Sequence, residues 1–411
     1  MIKPELLAPA GNMEKLKMAL IYGADAVYIG GERFGLRAAA GNFDMEEIKE
    51  AVRFTHELGR KIYVTVNIIP HNEDLIELPE YLKQLEEAGV DAIIISDPGV
   101  LMIARETVPD MELHLSTQAN NTNYKSAHFW HKQGISRIVL ARELSFEEIK
   151  EITEKAPEGM EFEAFVHGSM CISYSGRCLL SNYMVGRDAN KGECAHPCRY
   201  KYYVVEERRP GQYMYVDEDE RGTYIFNSKD LCMIEYLPEI INAGIRSLKI
   251  EGRMKSSYYV ATVVRAYRMA IDSYMSSPEA YEFKKEWFEE VNKASHHEFS
   301  TGFFRGKPDK SGQIYDTSAY VRDYMFVGIV LDYDDSTGIA TIEQRNKMVV
   351  GDEIEIIGPE RELFRQVIEG MWNEEGQEIE SAPHPQQILT MKMKYPVAKY
   401  DMLRRERKDG E

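Results

Sequence analysis

The chain has 411 residues, 44% hydrophobic and 29% charged, with 29 glycines and 16 prolines, a composition that excludes collagenous, low-complexity and disordered classes. Its 68 acidic against 50 basic side chains give a formal charge of −18, which repels phosphate on average and confines nucleic-acid contact to local basic clusters. The opening MIKPELLAPAGN lacks the basic and apolar regions of a signal peptide, and no segment approaches the ~20 apolar residues of a membrane span, so a cytoplasmic protein with no membrane partner is expected.

From the N-terminus, short apolar runs alternate with segments of helical period. Glu5 to Ala10 reads as a strand and Met13 to Tyr22 as a helix stopped by Gly23; Ala26 to Ile29 leads to a helix over Asp44 to Leu58. The unit repeats with Lys61 to Asn67, Asp91 to Ser96, Glu112 to Ser116 and Arg137 to Leu140, each followed by a helical segment. Glu161 to Val166 is a seventh strand and, after a long insertion, Ser247 to Ile250 an eighth. Nearly continuous apolar strands imply a parallel sheet covered on both faces, and eight β/α steps predict a (β/α)8 TIM-like barrel with a Cys-rich insertion near strands 7 and 8.

Residues 1–275 are thus expected to form the barrel. Residues 276–318 read as a charged helix and a Gly-rich linker, and residues 319–411 as a small antiparallel β-barrel domain with a charged tail, its first hairpin turning near Ser336 to Gly338. Chemistry on such a barrel belongs at the carboxyl ends of its strands. The polar residues there are Asn67, Ser96, Asp97, Ser116, Gln118, Asn120, Arg142, Glu143, His167, Glu251 and Arg253.

All five cysteines, Cys171, Cys178, Cys194, Cys198 and Cys232, fall in the insertion with the spacing C-x6-C-x15-C-x3-C-x33-C. An odd number in one region argues against a disulfide framework and for a metal or redox site. Only Cys194 and Cys198 approach zinc-ribbon spacing, whereas iron–sulfur clusters accept widely spaced thiolates gathered by the fold. Buried structural thiols are the plainer alternative.

The stretch Glu163 to Cys171 (EAFVHGSMC) followed by Gly176 to Ser181 (GRCLLS) resembles the collagenase-like peptidases of unassigned catalytic type, peptidase family U32. ELLAPAGN, Ser116 to Gln118 (STQ), Arg187 to Cys194, Ser228 to Cys232 and Ser247 to Ser256 (SLKIEGRMKS) extend the resemblance over the chain, terminal β-domain included. It implies either proteolysis or the activity of the better-understood members. These hydroxylate carbon five of the tRNA wobble uridine or a ribosomal-RNA cytidine, or act as a pair in ubiquinone synthesis.

For the RNA-modifying members the resemblance implies a [4Fe–4S] cluster and dependence on prephenate. The ligands carry over to Cys171, Cys178, Cys194 and Cys232, with Cys198 a fifth candidate. A dicarboxylate such as prephenate needs cationic partners, for which Arg142, Arg253 and Lys255 are placed, with His167 and Glu251 completing the expected catalytic set. A tRNA anticodon loop supplies unstacked bases, read by aromatics and by arginine contacts to phosphate; Arg177, Arg187, Arg199 and Lys201 are the candidates, with Tyr174, Tyr183, Tyr200 and Tyr202 nearby.

Proteolysis has less support in the residues. Ser295-His296-His297-Glu298 lacks the helical His spacing of H-E-x-x-H, and Ser169 lies outside any G-x-S-x-G elbow. A dyad of Cys171 or Ser169 with His167 or His196 remains open, as does a noncatalytic role beside a homologous subunit.

Overall fold

The computed structural model describes residues 2–36, 41–171, 173–199, 203–205, 213–215, 229–306, 323–359 and 361–408, with backbone alone for 199, 203–205 and 213–215. Eight parallel strands form the barrel: β1 (Glu5–Pro9), β2 (Ala26–Gly30), β3 (Lys61–Val66), β4 (Ala92–Ile95), β5 (Glu112–Leu115), β6 (Arg137–Val139), β7 (Glu161–Gly168) and β8 (Ser247–Ile250). β8 pairs with both β1 (Glu5↔Ser247) and β7 (Ser247↔Glu163), closing the ring. Alternation within each strand separates two cores. Leu7, Ala26, Tyr28, Tyr63, Ala92 and Ile94 pack together as one small cluster, while Leu6, Val27, Ile29, Ile62 and Ile93 join the large core under the helices.

Local signals fix the helix starts. Asp44 with Glu47 and Ser145 with Glu148 form reciprocal capping boxes, and Asn12, Asp97 and Asn123 accept from first-turn N–H groups. The helix after β8, Ser257–Ser276, is buried through its first three turns, from Ser257 to Tyr267. The charged helix expected from Ser276 is shorter, Lys285–Asn292, because the preceding helix consumes the first residues and Pro278 starts a separate turn. Thr301 to Gly306, expected in the linker, packs on the barrel: the Phe146 N–H donates to the Phe304 carbonyl at 2.9 Å and the two rings lie 5.2 Å apart.

In the insertion, the short strand Asp230–Cys232 runs antiparallel to the end of β7, placing Leu231 opposite Gly168 and Cys232 opposite His167. The second domain is an antiparallel eight-stranded sheet curled on Val327, Val330, Ile342, Ile354, Leu389 and Leu403. Met402–Glu406, read from sequence as the start of a charged tail, is one of its strands, and Arg404 is fully buried where the sheet meets the barrel. Arg404 donates to Glu355 at 2.8 Å and to both oxygens of Glu290 at 2.7 and 2.9 Å. Arg265 reaches the Gly358 and Arg361 carbonyls, and the Tyr22 hydroxyl the Tyr400 carbonyl. The two bodies therefore meet through satisfied buried polar groups.

Candidate functional site

The insertion closes over the carboxyl mouth of the barrel. The Asn120 side-chain amide donates to the Ser175 carbonyl at 3.1 Å, Ile69 N–H donates to the Asn190 carbonyl at 3.2 Å, and Lys191 pairs with Asp74 at 3.5 Å. Three concavities result, and they share walls.

The innermost, a cavity of about 80 Å³, is lined by Asn67, Ser116, Gln118, Arg142, Glu251 and Arg253 from the strand ends, with Lys249 below them. Lys249 Nζ lies 2.6 Å from Glu163 Oε1 and 4.5 Å from the centre of the Tyr28 ring. Burial alone would raise the carboxyl of Glu163, but Lys249 and Arg137 hold it below the usual range. Burial in turn pulls Lys249 below the ordinary lysine value, against the pull of Glu163. Lys249 is absent from the strand-end residues expected from sequence; the polar alternation Ser247, Lys249, Glu251 along and just past β8 is the signal that it faces inward.

The Arg142 guanidinium carbon sits over Phe165, 3.8 Å from the ring centre, and the side chain donates to the Ser169 carbonyl at 2.7 Å; its Nε is buried without a partner among the described residues. Arg253 is differently employed. Its guanidinium donates to the Leu36 carbonyl, to Thr65 Oγ1 and to Asn42 Oδ1, tying down the segment after β2, and Gly30 is required because a Cβ there would collide with it. Lys255, expected beside it, instead reaches the Ser295 carbonyl at 3.2 Å and the Tyr259 ring, and does not line this cavity.

Leu36 and Gln118 also line the second concavity, about 130 Å³, whose walls carry Cys171, Cys178, Cys194 and Cys198 together with His196. Gly176 (φ +72°) belongs to the same wall, where a Cβ would strike the side-chain carbonyl of Gln118. The His196 N–H donates to Cys194 Sγ at 3.4 Å. Among the described residues no three His, Cys, Asp or Glu side chains converge closely enough to grip a single ion. The thiols share a cavity without sharing a point. As a donor set, four sulfurs with glycine backbone beside them suit a thiophilic group.

Cys232 is not in that wall. It is buried on its strand against the Tyr267 hydroxyl, and burial pushes its thiol up to about 12. His167 departs from expectation for a related reason. Lys249 pairs with Phe165 but Ile250 with His167, so β7 carries an extra residue at Val166. This bulge turns His167 away from the mouth, among Tyr259, Tyr267 and Phe299. Burial depresses its ring to about 3 and its Nε2 has no partner, so it is a neutral packed imidazole and not a base beside Ser169 or Cys171.

Tyr174, Cys171 and Ser173 border both the thiol cavity and a third, open groove of about 630 Å³ that includes Glu143 and Phe303. Nearby, Leu179, Tyr183, Met184 and Val185 are exposed, Tyr183 by 87%. Arg177 and Arg187 flank this run, also exposed. Of Arg199 only the backbone, in the turn Pro197–Arg199, is described, and Lys201, Tyr200 and Tyr202 lie outside the described residues.

Fold and site together define a (β/α)8 barrel whose carboxyl mouth is capped by a thiol-bearing insertion and braced by a β-domain. The model of peptidase family U32 matches residues 11–314 and that of the U32 C-terminal domain residues 322–404, so the chain belongs to peptidase family U32. It is 48% identical to tRNA hydroxylation protein P1 of Bacillus subtilis (strain 168), over 98% of this chain and 95% of that one. It is 39% identical to tRNA hydroxylation protein P of Escherichia coli (strain K12), over 93% and 92%, and 33% identical to a collagenase of Porphyromonas gingivalis, over 93% of each. No helix among the described residues is long and apolar enough to cross a membrane.

Proposed function

We propose that the chain is a tRNA hydroxylation enzyme that installs the hydroxyl on carbon five of the wobble uridine, with an iron–sulfur cluster and prephenate as its small-molecule requirement. The observation that carries this reading is the arrangement of the three concavities, a thiol-lined cavity standing between a cationic barrel mouth and an aromatic groove open to solvent. Full-length relatives named for tRNA hydroxylation support it.

In this reading Cys171, Cys178 and Cys194 hold the cluster, which supplies redox chemistry next to the substrate. Cys198 lines the same cavity and is the fourth thiol as the chain is folded here, while Cys232 reaches it only if its strand separates from β7. The small barrel mouth takes a carboxylate of the dicarboxylate, with Arg142, Lys249 and the already engaged Arg253 as the cations that line it. Arg253 acts as a positioning residue, fixing the segment near Leu36 that walls both inner cavities. Arg177 and Arg187 meet phosphate outside, where the chain's overall negative charge makes two exposed cations decisive.

The test has two parts. Anaerobically purified protein is assayed for iron and acid-labile sulfide, native and as Cys171→Ala, Cys198→Ala and Cys232→Ala; about four of each per chain, lost in Cys171→Ala, is expected, and the other two variants identify the fourth ligand. Nucleosides of tRNA from cells lacking and re-supplied with the gene are then compared by mass spectrometry. Unchanged 5-hydroxyuridine, or cleavage of collagen peptides by metal-free protein, refutes the reading.

A further inference from the structure

The thiol cavity and the barrel mouth together leave the outer groove without a role. It has about 630 Å³, enough for a nucleoside, within the range of ordinary ligand pockets of roughly 300 to 1,000 Å³. Tyr174 and Phe303 supply aromatic surface, and Cys171 joins the groove to the thiol cavity.

Its charge is informative. Among the described residues Glu143 and Glu148 border it and no lysine or arginine does, so these walls repel a phosphate and not a neutral base. Glu148 is already committed to the capping box with Ser145. Glu143 is half-buried, and burial raises its carboxyl above the usual range even though backbone N–H groups and Arg142 oppose this. Among the described residues it is the one carboxyl at the groove outside that cap, and it lines a different concavity from its neighbour Arg142.

Resting on the function proposed above, we infer that this groove is the base pocket. A single unstacked pyrimidine enters it, Tyr174 and Phe303 contact its faces, and Glu143 accepts from the N3–H of uracil. Aromatic faces hold unstacked bases with little regard to sequence, so the carboxylate supplies the selection. With N3 turned to Glu143, the opposite C5–C6 edge is left for the side where Cys171 opens to the thiol cavity. The phosphates stay outside, toward Arg177 and Arg187.

Fluorescence anisotropy of the full chain with a labelled 17-nucleotide anticodon stem-loop reads the pocket without turnover. Replacing the target uridine by 3-methyluridine removes the N3–H and is expected to weaken binding about tenfold in the native chain. In Glu143→Leu the two RNAs bind alike. Tyr174→Ala is expected to lose about tenfold, the order of one base stack, and Tyr174→Phe to retain binding. Equal affinity of the native chain for both RNAs, or unchanged affinity in Tyr174→Ala while Arg177→Ala weakens binding, overturns the pocket but leaves the proposed function standing. No RNA binding by the native chain overturns both. Groove variants that change the sedimentation of the chain and not its RNA affinity mean that a protein partner fills the groove, which also refutes the inference.

Discussion

Replacing Arg404 by methionine removes one of the cations that join the β-domain to the rest of the chain, at a position with no solvent exposure. Glu355 keeps Lys293 at 2.9 Å and Arg365 at 2.7 Å, so it remains paired. Among the described residues Glu290 is left with Arg265, at 3.5 Å, and is 5% exposed, so it becomes an under-compensated buried carboxylate. Breaking a buried pair by deleting one partner costs about 3–5 kcal/mol, far more than the pair contributes relative to an apolar replacement of both sides. The expected loss in urea unfolding is therefore about 3–5 kcal/mol for Arg404→Met, and most of it returns when Glu290→Met is added, since the orphaned charge is gone. A single-variant loss below about 1 kcal/mol, or a double variant as unstable as the single, refutes the assignment of the cost to Glu290.

Four shorter expectations follow from the same geometry. Burial opposes ionisation of Glu355, but Arg404 and Lys293 hold its carboxyl at about 2, so its contribution to stability is present above pH ~4.5 and is lost as the pH falls toward 2; acid unfolding of Glu355→Gln should lack that step. His167 is held near 3 by burial, so protons bind the unfolded chain first and stability declines as pH falls from ~6.5 toward 3; His167→Phe should flatten that slope in pH-dependent urea titrations. Peptide mapping after brief iodoacetamide treatment of metal-free protein at pH 8 should find exposed Cys171 modified and Cys232 untouched until the chain unfolds; early labelling of Cys232 would contradict its burial against Tyr267. Tyr183→Ala, at a side chain 87% exposed, should leave stability within about 0.5 kcal/mol and weaken binding of the stem-loop, whereas equal weakening with a fully paired duplex would point away from base stacking.

Much of the barrel was legible because its signals are local. Short apolar runs, the helix start at Asp44, the helix stop at Gly23 and the strand-end polar residues each need only a few neighbouring positions. Asn67, Ser116, Gln118, Arg142, Glu251 and Arg253 do converge on one cavity. What the sequence hid depends on single residues or distant partners. The extra residue in β7 reverses His167 without altering its apparent pattern. Arg253 looks like a ligand-binding cation until Asn42 and Leu36 are seen to occupy it. Cys198 and Cys232 are equivalent in composition, and the pairing of Cys232 with His167 across an antiparallel strand decides which of them faces the cavity. Arg404 reads as part of a charged tail because its carboxylate partners lie 49 and 114 residues away.

The seam around Arg404 also sets the geometry of the outer surface. With Arg404, Arg265 and Tyr22 all held by partners across the contact, the angle between barrel and β-domain is a fixed property of the chain. A macromolecule that touches both bodies meets a rigid gauge. Under the function proposed above, an RNA that touches both bodies must already have the right span between its contact points.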